Sequence, residues 1–218
     1  MPRTSHAAQA GGDLGAAEKL LTIQLTDITP DALARLMKTL YTRQNLINAM
    51  VQKETVAIDV EMITLLDDLK PDTIEKISEL IDTELTIGMV KGVVIDEQAL
   101  YVASPFESDE GDRRDAMSKV LRAAADKALA AHYVKCVKLE PEPTEMKYFC
   151  HSWLMQLGFG GPEHKDLRAV LLGHLQGYAA FRTKEQMDDH KARFIKRRRE
   201  ERLEREAEAD EADREEAR

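Results

Sequence analysis

Aromatic residues are scarce in this chain, at 5% of 218 residues with a single tryptophan, and cysteine occurs only twice. Two cysteines, Cys136 and Cys150, exclude a disulfide-framework protein and fit buried small hydrophobes in a reducing cytosol. No apolar run approaches the roughly 18 residues of a membrane span, and the opening MPRTSHAAQAGGDLG lacks the apolar segment of a secretory signal. The expectation is a cytoplasmic protein with a loose leader over residues 1–19 and no membrane partner. Catalytic signatures are missing too. There is no glycine-rich phosphate loop followed by Lys-Ser or Lys-Thr, no Gly-x-Ser-x-Gly turn and no His-Glu-x-x-His. Gly158, Gly160 and Gly161 follow a helical pattern rather than a strand, so they fail the context test for a dinucleotide site. His132, Cys136, Cys150, His151, His164 and His174 are ligand types without the paired spacing of a structural zinc site. The reading is a protein that is not an enzyme and has no catalytic residue, metal or cofactor.

What the chain has is aliphatic and charged material: 43% hydrophobic and 33% charged residues, with a formal net charge of −9. That is enough for one domain of roughly 100–200 residues and for long exposed helical faces. The charge is segregated. Counting Lys, Arg, Asp and Glu, residues 1–53 carry about +2, residues 54–115 about −12, residues 116–199 about +7 and residues 200–218 about −6. Such separation bears on steering and choice of partner rather than on fold.

The fold expected is mainly α with a small β element: a helical bundle-like body, a helix–turn–helix module and a projecting charged helix. Residues 20–140 form the acidic body, 141–183 the module that completes the core, and 184–218 the charged tail. Leu20 to Leu25 reads as a strand or the lead-in to a helix. Thr29-Pro30-Asp31 starts a helix running to about Lys53, with Leu33, Leu36, Met37, Leu40, Leu46, Ile47, Met50 and Val51 recurring at threes and fours. Val56, Val60, Ile63, Leu66 and Leu69 make a second stripe, which could begin as a strand and ends at Pro71. Asp72 with Glu75 is a capping signal for a third helix through Leu85. Residues 87–102 suggest a short hairpin, 104–115 an acidic exposed loop, Ala116 to Tyr133 a helix and 133–139 a further strand.

The stretch 146–182 holds the only tryptophan, three of the five phenylalanines and five of the eleven glycines, so it is expected to be the organising centre. Phe149, Trp153, Leu154 and Leu157 fall at helical spacing, Gly158 to Gly161 break it, and Pro162 reopens a helix that buries Leu167, Val170, Leu171, Leu172 and Leu175 and ends at Gly177. As a DNA-binding helix–turn–helix, this pair would present Lys165 and Arg168 at the start of its second helix; as plain core, it would not. Thr183 and Gln186 form a capping box for the tail, expected to fray over residues 206–218 and, lacking sustained apolar positions, not to be a coiled coil.

Two patches carry the functional reading. In Lys191 to Arg199, six of nine residues are basic and none is acidic. Lys191, Arg193, Lys196, Arg197, Arg198 and Arg199 could hold a nucleic-acid backbone, with a salt dependence on the order of 10³-fold between 50 and 200 mM for six phosphate contacts. Phe194 could stack on a base. The ten acidic residues of Glu200 to Glu216 offer the competing reading, a helix that neutralises itself through i,i+4 pairs. The second patch is acidic: Asp67, Asp68, Glu75, Glu79 and Asp82 could present a phosphate-like pattern to a basic groove on a protein.

The run Leu157-Gly158-Phe159-Gly160-Gly161-x-Glu163, followed by Arg168-x-x-Leu171-Leu172-x-x-Leu175-x-Gly177-x-x-Ala180-Phe181-Arg182, resembles a short C-terminal module of uncharacterised accessory proteins of phages and mobile genetic elements. The resemblance implies a setting and no functional residue. From it comes the expectation of a non-enzymatic phage or mobile-element protein that engages nucleic acid or a nucleoprotein complex. The alternative is an anti-CRISPR-like, protein-directed inhibitor of a host defence nuclease, and a third reading is a phage assembly or chaperone-like protein.

Overall fold

Thr29 opens the helix on which the rest of the body is laid. In chain order the elements are β1 (Lys19–Gln24), α1 (Pro30–Val51), β2 (Ala57–Ile58), α2 (Val60–Leu69), α3 (Ile74–Thr86), β3 (Val90–Lys91), β4 (Val93–Ile95), β5 (Ala99–Ala103), α4 (Gly111–Ala130), α5 (Met146–Gln156), α6 (Lys165–Leu172) and α7 (Lys184–Glu216). The structure, a computed structural model, describes residues 19–26, 28–107 and 109–216, and only the backbone over 207–216. The expected leader lies outside the described residues, apart from Lys19, which belongs to β1. The architecture is mainly α with a small antiparallel β element.

The Thr29 hydroxyl accepts from the Ala32 N–H at 3.2 Å and Pro30 takes the first helical position, where its missing N–H costs nothing. Twelve of the 22 residues of α1 are buried, more than a single stripe would supply, so α1 is covered on several sides. It touches α2, α3, α4, α5, α6 and β2. This corrects the expectation that residues 146–182 are the organising centre. Those residues are satellites: Cys150, Trp153, Leu154, Phe159, Leu171 and Leu172 are buried, while Phe149, Leu167, Val170 and Leu175 only flank the core. Large side chains signal burial, but a helix central to the fold must be long and apolar around its circumference.

Leu20 to Gln24 resolves as strand. β5 is the centre of a three-stranded antiparallel sheet in the order β1-β5-β4, with Ile23 opposite Leu100 and Ile95 opposite Leu100 on the other edge. The expected hairpin is β4–β5, turned by Asp96, whose carboxylate accepts from the Gln98 and Ala99 amides at 2.8 Å each. Burial opposes ionisation of Asp96, but hydrogen bonds from Tyr101 and these amides outweigh it and hold the carboxyl below its ordinary range. β2 and β3 form a separate two-stranded ladder. Between β3 and β4 sits Gly92 at φ 73°, where a Cβ would overlap the Thr55 carbonyl oxygen, so only glycine fits. The edge strand β1 is not left open: Arg122 of α4 donates to the Thr22 carbonyl at 2.6 Å.

Several boundaries differ from the sequence reading. Thr73, not Asp72, caps α3, accepting from the Lys76 amide at 3.3 Å, and Asp72 instead pairs with Lys76 at 2.6 Å. Val60 and Leu69 are exposed, because Met62, Ile63 and Leu66 set the buried face of α2. α4 begins at Gly111 and ends at Ala130, so the loop is shorter and the helix starts earlier than expected. Its Arg113 reaches the C-terminus of α1, donating to the Gln52 side chain at 3.0 Å and to the Met50 and Val51 carbonyls at 3.5 Å. α1 has no basic residue in its own last turn, so α4 supplies the cation that the helix dipole favours there.

The strand expected over 133–139 does not form. Leu139 donates to the Thr42 carbonyl at 3.1 Å and accepts from the Asn45 side chain at 2.9 Å, so this stretch is pinned to α1 rather than to a sheet. α6 ends at Leu172, not at Gly177. Finally, the helical backbone of α7 continues to Glu216, through the region expected to fray, with residues 217–218 outside the described ones.

Candidate nucleic-acid interface

The root of α7 is built from the segment after α6. Gly177, at φ 92°, lies so close to the Thr144 carbonyl oxygen that a Cβ would overlap it. Arg182 then forms a two-pronged pair with Glu145, Nε to Oε1 at 2.8 Å and Nη2 to Oε2 at 3.1 Å, and sits over the Phe149 ring at 5.4 Å. Thr183 accepts from the Gln186 amide at 3.3 Å while the Gln186 side chain accepts from the Arg182 amide at 3.1 Å. The expected capping box is therefore present, its return bond displaced by one residue. Phe181 meets His190 ring to ring at 5.1 Å. Beyond that contact, every residue from Asp188 to Glu206 is exposed.

Helical geometry sorts the tail in a way that composition hides. Lys191, Ile195, Arg198, Arg202 and Arg205 recur at spacings of four, three, four and three and so share one stripe, with Phe194 and Arg199 on its flanks. The opposite stripe alternates Arg193 and Arg197 with Glu200 and Glu204, and its charges cancel. Lys196 pairs with Glu200 and Arg197 with Glu201, each at 3.8 Å. Arg202 pairs with Glu206 at 3.5 Å. Lys191, Arg193, Arg198 and Arg199 have no ion-pair partner among the described residues. The i,i+4 neutralisation expected of this segment is thus present at Lys196, Arg197 and Arg202 and does not extend to Lys191, Arg193, Arg198 and Arg199. Arg202 and Arg205 lie outside the Lys191 to Arg199 run and were missed by it. The signal that identifies them is periodicity, not local density.

Phe194 is 43% exposed, and the guanidinium groups of Arg197 and Arg198 lie 5.7 and 5.8 Å from its ring centre. Ile195 is 67% exposed. Together with Arg198, Arg199, Arg202, Arg205 and one carboxylate, Glu201, these two side chains line a shallow groove. Cations around an open aromatic face can hold phosphates and offer a stacking surface at once.

The other candidates fare differently. Arg168 donates to the Phe159 and Gly161 carbonyls at 2.6 and 2.8 Å, locking the glycine turn, so it is not free to read bases. Of the acidic set, Asp67 is tied to Lys38. Asp68, Glu75, Glu79 and Asp82 are exposed, and Glu75, Glu79 and Asp82 align at i, i+4 and i+7 on α3. A hydrogen bond within the first turn and one from Thr73 hold the Glu75 carboxyl below its ordinary range.

His174 is bonded through Nε2 to the Ala49 carbonyl at 2.9 Å, and Cys150 lies against the Leu46 carbonyl. Burial lowers the pKa of His151, with a smaller contribution from Arg168. Among the described residues no three His, Cys, Asp or Glu side chains converge as a metal site would require. No helix among the described residues is long and apolar enough to cross a membrane. Compared with protein-family models, curated proteins and solved structures, the chain shows no significant match.

Proposed function

We propose that this is a non-enzymatic binding protein of a phage or mobile element that engages the backbone of a nucleic acid, free or in a nucleoprotein complex, through one face of α7. The observation that carries this reading is the alignment of Lys191, Arg198, Arg202 and Arg205 on one exposed stripe beside Phe194 and Ile195, with Glu200 and Glu204 on the opposite side and Glu201 and Glu206 at its edges, Glu206 paired with Arg202. At 1.5 Å per residue the stripe is about 21 Å long, the length of about six phosphates along one strand. Four phosphate contacts correspond to a loss of affinity of about 10²-fold between 50 and 200 mM salt, shallower than six contacts would give.

Fluorescence anisotropy of labelled single- and double-stranded DNA and RNA tests the proposal. The triple variant Arg198→Gln/Arg202→Gln/Arg205→Gln is expected to lose binding, whereas Arg193→Gln/Arg197→Gln on the opposite stripe retains it within about threefold. Equal losses in both would replace the stripe by diffuse attraction, and no binding by the unaltered chain would end the proposal. Phe194→Ala separates stacking from charge: a loss of about 1–3 kcal/mol on single strands alone marks a stacked base.

The aligned carboxylates of α3 favour one second reading, a protein-directed inhibitor whose Glu75, Glu79 and Asp82 occupy a basic groove on a host defence nuclease. Inhibition of such nucleases by the full chain, relieved by Glu75→Lys/Glu79→Lys/Asp82→Lys and unaffected by the Arg198, Arg202 and Arg205 substitutions, would establish it in place of the first.

A further inference from the structure

A second site lies in the body, away from α7. Where α1, α4 and α5 meet the extended stretch after Ala131, a cleft of about 260 Å³ opens. Its cations are Arg43, Lys127 and Lys135, and its walls include Tyr133, Val137 and Trp153. No carboxylate lines it, although the chain carries a net charge of −9. The other described clefts each contain a carboxylate beside their cations: Asp31 and Asp67 in one, Glu145 and Glu185 in another, Asp72 in a third, and Glu201 along α7.

Arg43 is half-buried and makes no hydrogen bond or ion pair among the described residues. Burial lowers its guanidinium pKa, an uncompensated cost that a bound anion would relieve. Lys127 donates one bond, to the Gln156 carbonyl at 3.0 Å, and keeps two donors spare. Trp153 is 5% exposed and its indole N–H meets no acceptor among the described residues. Neither group is among the buried polar atoms left without a partner, so both donors open onto the cleft and are free to meet a ligand there. Tyr133 is 78% exposed at the same cleft and presents a ring that nothing in the fold covers.

We infer that this cleft binds a small organic anion, a phosphate or carboxylate borne on one aromatic ring, with Arg43 and the two lysines holding the charge and Tyr133 and Trp153 the ring. The volume is just below the range of about 300–1,000 Å³ typical of drug-sized ligands, which suits one ring and its anionic group.

Trp153 is the only tryptophan, so its emission reports this cleft alone. The full chain is titrated with phenyl phosphate and benzoate, and with inorganic phosphate and phenol as half-ligands. Saturable change with either ring-bearing anion, at least about tenfold tighter than with phosphate or phenol, is the expected result. Arg43→Gln is expected to weaken it by about tenfold or more without lowering the melting temperature, since Arg43 bonds to nothing in the fold. Lys135→Gln, on the exposed stretch, provides a second variant with an expected loss of about threefold. The Arg198→Gln/Arg202→Gln/Arg205→Gln chain is expected to bind normally. No saturable change up to about 10 mM of either ring-bearing anion, equal affinity for inorganic phosphate, or unaltered binding by both cleft variants would overturn the inference.

Discussion

At the scale of single residues, the most constrained positions are polar ones inside α1. Asn48 donates to the Val56 carbonyl at 2.8 Å and accepts from the Thr55 and Val56 amides at 2.8 and 3.0 Å, serving three backbone groups of the turn after the helix. Gln44 does the same for Ile58, donating to its carbonyl at 3.1 Å and accepting from its amide at 2.7 Å. Asn48→Ala leaves those groups unpaired and is expected to cost about 2–3 kcal/mol, read as a fall of roughly 5–10 °C in melting temperature. The cysteines give a second test. Burial pushes the Cys150 thiol up to about 12 and also raises that of half-buried Cys136. At pH 8 a thiol reagent is expected to label Cys136 slowly and Cys150 only after unfolding. A raised folded pKa stabilises the fold below the unfolded value and is lost above it. Stability is therefore expected to fall as pH climbs from the ordinary thiol value of 9.0 toward 12, and less so in Cys150→Ala.

Elements were legible where one local signal decided them. Thr29-Pro30 and the apolar spacing after it define α1; the β-branched run within 87–102 defines the hairpin; Thr183 and Gln186 define the start of α7. What misled was a pattern satisfied by a partner distant in sequence. Residues 133–139 alternate like a strand, yet Leu139 at the end of the run gives its N–H to Thr42 and its carbonyl to Asn45, which ties the stretch to α1 instead of a sheet. Gly177 looked like a helix end because glycine often terminates helices, but its reason is the close approach of Thr144. That contact seats the root of α7, so Gly177→Ala is expected to destabilise the protein by about 2 kcal/mol or more while leaving α1 and the sheet intact. Hydrogen exchange would locate the loss to residues 144–182; protection lost throughout the body would refute it.

For the whole molecule, the separation of charge along the chain becomes a separation in space. The acidic stretch 54–115 folds into the body, while α7 carries Lys191, Arg198, Arg202 and Arg205 along one exposed stripe. No residue described from Asp188 to Glu206 is buried. Truncation after Asp189 is therefore expected to shift the melting temperature by less than about 2 °C while abolishing nucleic-acid binding; a larger fall would show that the tail supports the core. The sequence by itself determined the mainly α class, the starts of α1 and α7, the hairpin and the basic run 191–199 of the tail, because each follows from patterns within a few residues. The tertiary structure decided that α1 is the centre, that 133–139 is no strand and that Arg168 locks a turn. It also showed that Arg43 and Trp153 line one cleft without partners. These depend on which distant groups meet, and a buried donor is satisfied or left unpaired by neighbours that a linear pattern does not contain.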